Sequence, residues 1–363
     1  MKNQFKFLAI VAILLLTLIV CIASSIGANT LLGAANAAPM SIAAIAVLFR
    51  PNPTPPPFVP PTPVVNYLTF TAQQANSVVG FEIFGTVEGV SLQYSTDNGS
   101  TWNDYTFGNT ILLPNIGDNV MFRGINNSFS TSFDNYINCI MVGTLAASGD
   151  ITSLLNGIGG DVELSACCFI NLFKQCTSLT QAPSLPSTTL ADYCYSEMFG
   201  GCTSLTQAPS LPATTLASSC YSGMFRFCTL LTQAPSLPAT TLTEGCYYGM
   251  FGGCTSLTQA PSLPATTLTE GCYSEMFSGC TSLTQAPSLP ATTLTEGCYS
   301  SMFSGCTSLE YIEAMFTTEP GQDFTESWVD GVAQNGTFVK SALASWDVSG
   351  VNGIPNDWTV QTA

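Results

Sequence analysis

A 26-residue repeat fills the middle of the chain and limits what the chain can fold into. Cysteines recur at a constant interval in two series. The first series is Cys176, Cys202, Cys228, Cys254, Cys280 and Cys306, and the second is Cys168, Cys194, Cys220, Cys246, Cys272 and Cys298. A constant period of this length predicts a stack of one structural unit, in which each copy buries its apolar side against its neighbours.

Each copy contains two kinds of segment. In residues 272–280 the apolar side chains recur at i, i+4 and i+8, which predicts a short amphipathic helix. Thr267 and Glu270 have the spacing of a capping box at its start. Pro287 and Pro290 then exclude a helix and limit any strand to a few residues. The predicted fold class is an α/β repeat solenoid, leucine-rich-repeat-like, with a short strand and a short helix per copy, preceded by a small all-β domain.

The repeated text, Met-Phe-x-x-Cys-Thr-Ser-Leu-Thr before a proline-bounded strand, resembles the bacterial BspA-type leucine-rich repeat over residues 168–309. The tail, residues 336–360, resembles the ends of surface proteins that carry this repeat. The resemblance implies a curved solenoid that is displayed outside the cell for attachment, with no catalysis. The unit is longer than the commonest repeat of that family, and its copies are nearly identical, so no binding specificity is carried over.

Charge and composition exclude several classes of function. The chain has 7 Lys and Arg, 23 Asp and Glu and no His, with a net charge of -16. Because phosphate binding needs clustered cations, we expect no nucleic-acid partner. Without histidine no Ser-His-Asp or Cys-His site can form, so we expect no enzyme activity, no catalytic residue and no cofactor. The acidic residues of the tail do not have the spacing of a calcium loop, and we expect no metal site there.

The first 65 residues favour export. Residues 1–37 begin with two lysines and continue into a long apolar run, which is typical of a signal peptide. The run approaches the ~20 residues that span a bilayer, so an uncleaved membrane anchor stays as the alternative. Residues 38–65 include a proline-rich stretch that predicts a semi-rigid polyproline stalk. We expect an exported protein at the cell surface, in the extracellular space or on a phage particle.

Three regions follow the stalk. Residues 66–149 alternate apolar and polar positions in short runs between Asn, Asp and Gly turns, which predicts an all-β sandwich-like domain. Residues 150–309 contain the repeats. Residues 310–363 are acidic and rich in tryptophan, and we expect them to cap the apolar interior of the stack.

The repeat cysteines allow two interpretations. Free buried cysteine behaves as a small hydrophobe, which predicts a structural thiol ladder formed by both series from Cys176 to Cys306. Fifteen cysteines in an exported chain favour disulfides instead. Two cysteines eight residues apart on one helix would be separated by about 12 Å, and those on packed helices by about 8–10 Å, whereas a disulfide needs about 7 Å or less. We therefore favour free thiols.

Exposed columns of threonine and glutamine form the candidate ligand-binding surface. The glutamines are Gln181, Gln207, Gln233, Gln259 and Gln285. The same columns could serve only to keep an uncharged surface soluble. The predicted function is a surface-displayed attachment protein that binds a glycan or protein of a host or neighbouring cell, with membrane association through the N-terminal segment if it is retained. The alternative is a self-associating structural subunit of a fibre, surface layer or phage particle.

Overall fold

The computed structural model describes residues 65–363. The predicted signal or anchor segment and all but the last residue of the predicted stalk lie outside these described residues. Within residues 65–363, no helix has the length and apolar character needed to cross a membrane.

Eight strands precede the repeats. They are β1 (Leu68–Ala72), β2 (Ser77–Phe84), β3 (Leu92–Ser95), β4 (Asn103–Tyr105), β5 (Thr110–Leu113), β6 (Asn119–Arg123), β7 (Tyr136–Val142) and β8 (Leu145–Ser148). One sheet has the order β4-β3-β6-β1-β8, and a second sheet has the order β5-β2-β7, with all of these pairs antiparallel. The sheets meet through Phe70, Phe81 and Phe122, whose rings contact edge to face at 5.0–6.2 Å.

The first sheet continues directly into the repeats. After the one-turn helix α1 (Ser153–Asn156), strand β9 (Leu179–Gln181) pairs with β8 in parallel and becomes the sixth strand. A single hydrophobic core extends from Leu68 to Trp358. The strand region and the repeats therefore share one interior.

The predicted α/β repeat solenoid is wrong. The sheets are open, and within residues 65–363 the helices are α1 and α2 (Gln322–Thr325), which have four residues each and lie outside the 26-residue copies. We number the copies 1 to 5 as residues 176–201, 202–227, 228–253, 254–279 and 280–305. The segment predicted to be helical is a chain of tight turns in every copy.

Backbone hydrogen bonds explain why these turns replace a helix. The N–H groups alternate between two kinds of acceptor along residues 247–254. Tyr247, Gly249 and Phe251 donate to carbonyl oxygens 25 residues later, in the next copy, at 2.8–3.1 Å. Tyr248 and Met250, which lie between them, donate to carbonyl oxygens three residues earlier, at 2.9–3.2 Å. Half of the donors that a helix would use internally are thus bound by the neighbouring copy.

The backbone conformation repeats every four residues. This period is close to the ~3.6 residues per turn of an α-helix, so the apolar pattern of the sequence predicted a helix wrongly. Gly245, Gly249 and Gly253 have φ of 58°, 57° and 74°, and the corresponding Gly271, Glu275 and Gly279 have similar values. A right-handed helix needs negative φ at every residue. The predicted apolar positions of residues 272–280 are all buried, but they lie on successive turns. Thr267 and Glu270 consequently have no helix to cap.

The proline-bearing half of each copy pairs with its neighbours only at isolated points. Parallel bridges join Gln207 with Gln233 and Gln233 with Gln259, and another joins Thr215 with Thr241. Prolines prevent longer ladders because they lack an N–H donor. The copies therefore lie at a separation close to the ~4.8 Å of paired strands, not at the spacing of packed helices.

The tail adds three more layers. Strands β10 (Tyr311–Ala314), β11 (Thr337–Lys340) and β12 (Thr359–Thr362) form a parallel sheet, and a bridge between Gln285 and Tyr311 connects it to copy 5. Trp328 covers the last aromatic rings of the repeats, Tyr299 and Phe303, at centroid distances of 6.3 and 6.1 Å. Strand β12 forms the sheet edge, and all four of its residues are exposed.

Candidate functional site

Two columns of stacked aromatic rings fix the spacing of everything on the outside of the repeats. Tyrosine rings stack at 5.8–6.0 Å in the column Tyr195, Tyr221, Tyr247, Tyr273 and Tyr299. Phenylalanine rings stack at 5.4–5.8 Å in the column Phe173, Phe199, Phe225, Phe251, Phe277 and Phe303. Planes of successive rings differ by at most 11° in these columns. The outer residues of each copy are therefore displaced by a nearly constant step.

The cysteine columns lie beside the rings, and all fourteen described cysteines are free and buried. In the series from Cys202 to Cys306, each Sγ donates a hydrogen bond to the carbonyl oxygen of a phenylalanine 29 residues earlier, at 3.0–3.2 Å. Each of these thiols therefore fills a small apolar site and also binds a carbonyl group from an earlier part of the stack. Burial raises the pKa of Cys254 and Cys280 well above the usual value, so these thiols stay protonated and unreactive.

The separation between copies corrects one reason for expecting free thiols. Cysteines of one column do not lie at the 8–10 Å of packed helices, because the copies pair like strands. A separation near 5 Å falls within the range that a disulfide can bridge. Distance alone therefore does not forbid disulfides between copies. The thiols are accounted for by their burial and by their hydrogen bonds to carbonyl oxygens.

The candidate glutamines form an exposed column. Gln181, Gln207, Gln233, Gln259 and Gln285 are all exposed, each beside a threonine. Parallel bridges link Gln207, Gln233 and Gln259 through their backbones, and another links Gln285 with Tyr311. The side-chain amides of all five glutamines make no hydrogen bond to any described residue. Each amide offers two donors and one acceptor to a ligand. The column can therefore bind an extended polar partner but supplies no acid or base.

Two shallow grooves interrupt the column. One, of about 310 Å³, lies between copies 4 and 5 and is lined by Thr258, Gln259, Thr284 and Gln285. The other, of about 670 Å³, lies where copy 5 meets the tail and is lined by Gln285, Glu310, Tyr311, Asn335 and Thr337, among others. Both grooves are largely polar, and the second adds a carboxylate and an aromatic ring.

A cluster on the turn side of the stack escaped the sequence-based prediction. Arg226 of copy 2 crosses copy 3 to reach Glu275 of copy 4, with Nη1 and Oε2 3.0 Å apart. The Tyr248 hydroxyl donates to the other Glu275 oxygen at 2.5 Å. Gly249 leaves room for the arginine, because a Cβ there would lie 3.0 Å from the same Nη1. The sequence did contain a signal for this cluster, because Arg226 and Tyr248 depart from the residues that other copies have at these positions.

A concavity of about 440 Å³ in the strand region offers less. It is lined by Gln93, Asp104, Arg123 and Ile158, among others. The guanidinium of Arg123 is already bound, since it donates to Gln93 Oε1 at 2.8 Å and lies 4.0 Å from the centre of the Trp102 ring. Across residues 65–363, no three His, Cys, Asp or Glu side chains converge as a metal site requires. The glutamine column is therefore the best candidate site.

Comparison of the chain with known protein families, curated proteins and solved structures found no match.

Proposed function

We propose that this protein is a surface-displayed attachment protein, and that it binds an extended ligand along the glutamine and threonine column. The observation that carries the proposal is the exposure of all five glutamines in a column whose step is fixed by stacked rings and parallel bridges. A ligand with its own repeat can meet the same amide in successive copies. Several weak contacts then add up, because each further contact is made by a ligand already held.

The lack of charge supports a neutral partner surface. Charged residues make up 8% of the sequence, and the column contains none between Gln181 and Gln285. Affinity along it would come from hydrogen bonds, with little dependence on salt. The export segment, the stalk and the resemblance to surface proteins, all predictions from the sequence, agree with display outside a cell.

The test is a quadruple substitution of Gln207, Gln233, Gln259 and Gln285 by lysine in the full chain. These side chains are exposed, so the melting temperature should stay within a few degrees of the unaltered protein. Attachment to cells should be lost, because lysine removes the acceptor and adds charge. A matched control places lysine at Ser210, Ser236, Ser262 and Ser288, which are exposed and lie outside the threonine and glutamine columns. Equal attachment by both variants would reject the column as the binding surface.

A structural subunit is the second candidate, and the edge strand β12 favours it. An exposed strand edge presents free N–H and C=O groups, and natural proteins usually protect such edges with charged residues or proline. β12 contains neither, and Val360 is 43% exposed although its partner Phe338 is fully buried. This edge could take up a strand from another molecule.

Sedimentation velocity over a wide concentration range separates the two candidates. A fibre or layer subunit should associate through β12, and Val360→Lys should prevent this while Val360→Thr, which keeps a β-branched uncharged side chain, should not. A monomer at every concentration would exclude the structural role and leave attachment as the function.

A further inference from the structure

The groove where copy 5 meets the tail differs from every other place on the column. Tyr311 occupies the position of the glutamines, since it bridges Gln285 in the same way that Gln207 bridges Gln233. The preceding position, threonine in copies 1 to 5, is Glu310. The column of amides thus ends in an aromatic ring and a carboxylate.

The backbone around this groove is firmly held. Glu310 N–H donates to Thr284 O at 3.0 Å, and Thr337 N–H donates to Glu310 O at 2.8 Å. Gly336 is required beneath it, because a Cβ there would lie 2.5 Å from Glu310 O and 2.6 Å from the Trp358 ring. The side chains that line the groove are therefore placed by two strands and a packed tryptophan.

Polar groups converge on the groove without protein partners. Among the described residues, the side chains of Gln285, Glu310, Tyr311, Asn335 and Thr337 make no hydrogen bonds to one another or to their surroundings. The Tyr311 ring is half-buried and stacks on no other ring of the described chain. The Tyr311 ring is thus surrounded by side chains that can donate hydrogen bonds and side chains that can accept them.

We infer that this groove binds one terminal sugar residue of a neutral glycan whose remaining residues follow the glutamine column. The C–H face of a pyranose would lie on the Tyr311 ring, while its hydroxyls donate to Glu310 and exchange hydrogen bonds with Gln285 and Asn335. The volume of about 670 Å³ has room for one sugar ring. This inference rests on the proposed function and adds the ligand class.

Charge selects against acidic sugars. Glu310 lies in the groove, and residues 310–363 contain eight Asp and Glu against one Lys. A uronic or sialic acid would bring a carboxylate against Glu310 and a strongly acidic tail. A neutral hexose or an N-acetylated hexosamine meets no such repulsion.

The test measures binding of the full chain to immobilised neutral oligosaccharides of glucose, galactose, mannose and N-acetylglucosamine, with uronic-acid and sialic-acid oligosaccharides alongside. We expect binding to at least one neutral set and none to the acidic sets. Tyr311→Ala should weaken that binding at least tenfold, while Tyr311→Phe should stay within threefold of the unaltered chain. Glu310→Gln should weaken neutral binding and relax the discrimination against acidic sugars.

The outcomes separate this inference from the proposed function. Loss of attachment with lysine in the glutamine column, together with full neutral-glycan binding by Tyr311→Ala, would reject the groove and leave the column as the attachment surface. Cell attachment without binding to any neutral oligosaccharide would mean a protein ligand and would also overturn the inference. Binding that favours acidic sugars would overturn it as well. A melting curve for each variant excludes loss of folding as the cause.

Discussion

The strand region, residues 68–148, and the repeats, residues 176–305, share one core but are held together differently. In the strand region many polar side chains bond to partners that occur only once. Asp97, for example, accepts hydrogen bonds from Ser95 and Thr101, and these hold its pKa at about 2. In the repeats the same backbone and thiol hydrogen bonds recur from copy to copy, 25 or 29 residues apart. One region depends on many unlike contacts, and the other on one contact set used repeatedly.

The two regions should therefore differ in how they respond to the loss of a single contact. Removal of a contact in the strand region removes something that occurs once. In the repeats each copy contacts only its neighbours, so stability is approximately a sum over copies and their interfaces. The repeats should tolerate changes in copy number but should be sensitive to any condition that affects all copies at once.

The largest expected effect comes from deletions of different length. Removal of residues 280–305, one complete copy, should leave a cooperative thermal transition, because copy 4 then meets the tail in the same register. Removal of residues 280–292 should abolish that transition, since turns would face extended segments. Circular dichroism and thermal melts measure both. If the two deletions unfold alike, the copies do not act as interchangeable layers.

Alkaline pH should act on all copies together. Burial raises the pKa of Cys246 and Cys298 to about 11, and that of Cys220, Cys228, Cys272 and Cys306 to about 12, from the ordinary 9.0. The unfolded chain loses these protons first, so the stability is fully present below pH 9 and falls between pH 9 and about 12. Each thiol lowers the free energy of unfolding by up to about 1.4 kcal/mol per pH unit between pH 9 and its own pKa in the folded protein.

Thermal melts in reductant at pH 7, 8, 9 and 10 would measure this loss. The melting temperature should be constant up to pH 8 and should fall steeply by pH 10. For six such thiols this corresponds to a loss of several kcal/mol in the free energy of unfolding. Alkylation with and without denaturant provides the control, since the thiols should be protected in the folded protein and reactive after unfolding. A flat profile would show that the cysteines are oxidised or exposed.

A single glycine should stabilise copy 5. Ser301 has φ of 51°, at a position where copies 2 and 3 have Gly223 and Gly249. Because serine is strained in this left-handed conformation, Ser301→Gly should raise stability by about 1 kcal/mol. Ser300→Gly, one residue earlier and without positive φ, is the control and should lower stability slightly. Equal effects from the two variants would contradict the four-residue turn pattern.

The smallest effect concerns the contact that makes the copies unlike one another. Arg226 and Glu275 are both partly exposed, so their ion pair should contribute only about 0.3–1 kcal/mol. A double-mutant cycle with Arg226→Gln and Glu275→Gln should give that coupling energy, and it should shrink in high salt. The pair Lys174 and Glu197, at the start of the repeats, offers a second cycle for comparison. A coupling of zero would remove the evidence that copies 2 to 4 depend on their order.

Part of the site could be predicted from the sequence. An exposed glutamine column and buried cysteine, tyrosine and phenylalanine positions follow from the repeat period and from side-chain polarity. In the structure the glutamines are exposed and these other side chains are buried. The Arg226 cluster and the groove at Tyr311 were missed because both depend on which residues of different layers become neighbours. Arg226 and Glu275 are 49 residues apart in the chain.

The sequence by itself determined the period, the inward and outward positions, and the uncharged character of the outer face. These are properties of side chains, and identical copies must place them identically. Only the tertiary structure decided between a helix and a chain of turns, because residues 272–280 have apolar positions that suit both. The segment forms turns because every second N–H donates to a carbonyl oxygen of the neighbouring copy. An acceptor some 25 residues away cannot be predicted from the local spacing of apolar residues.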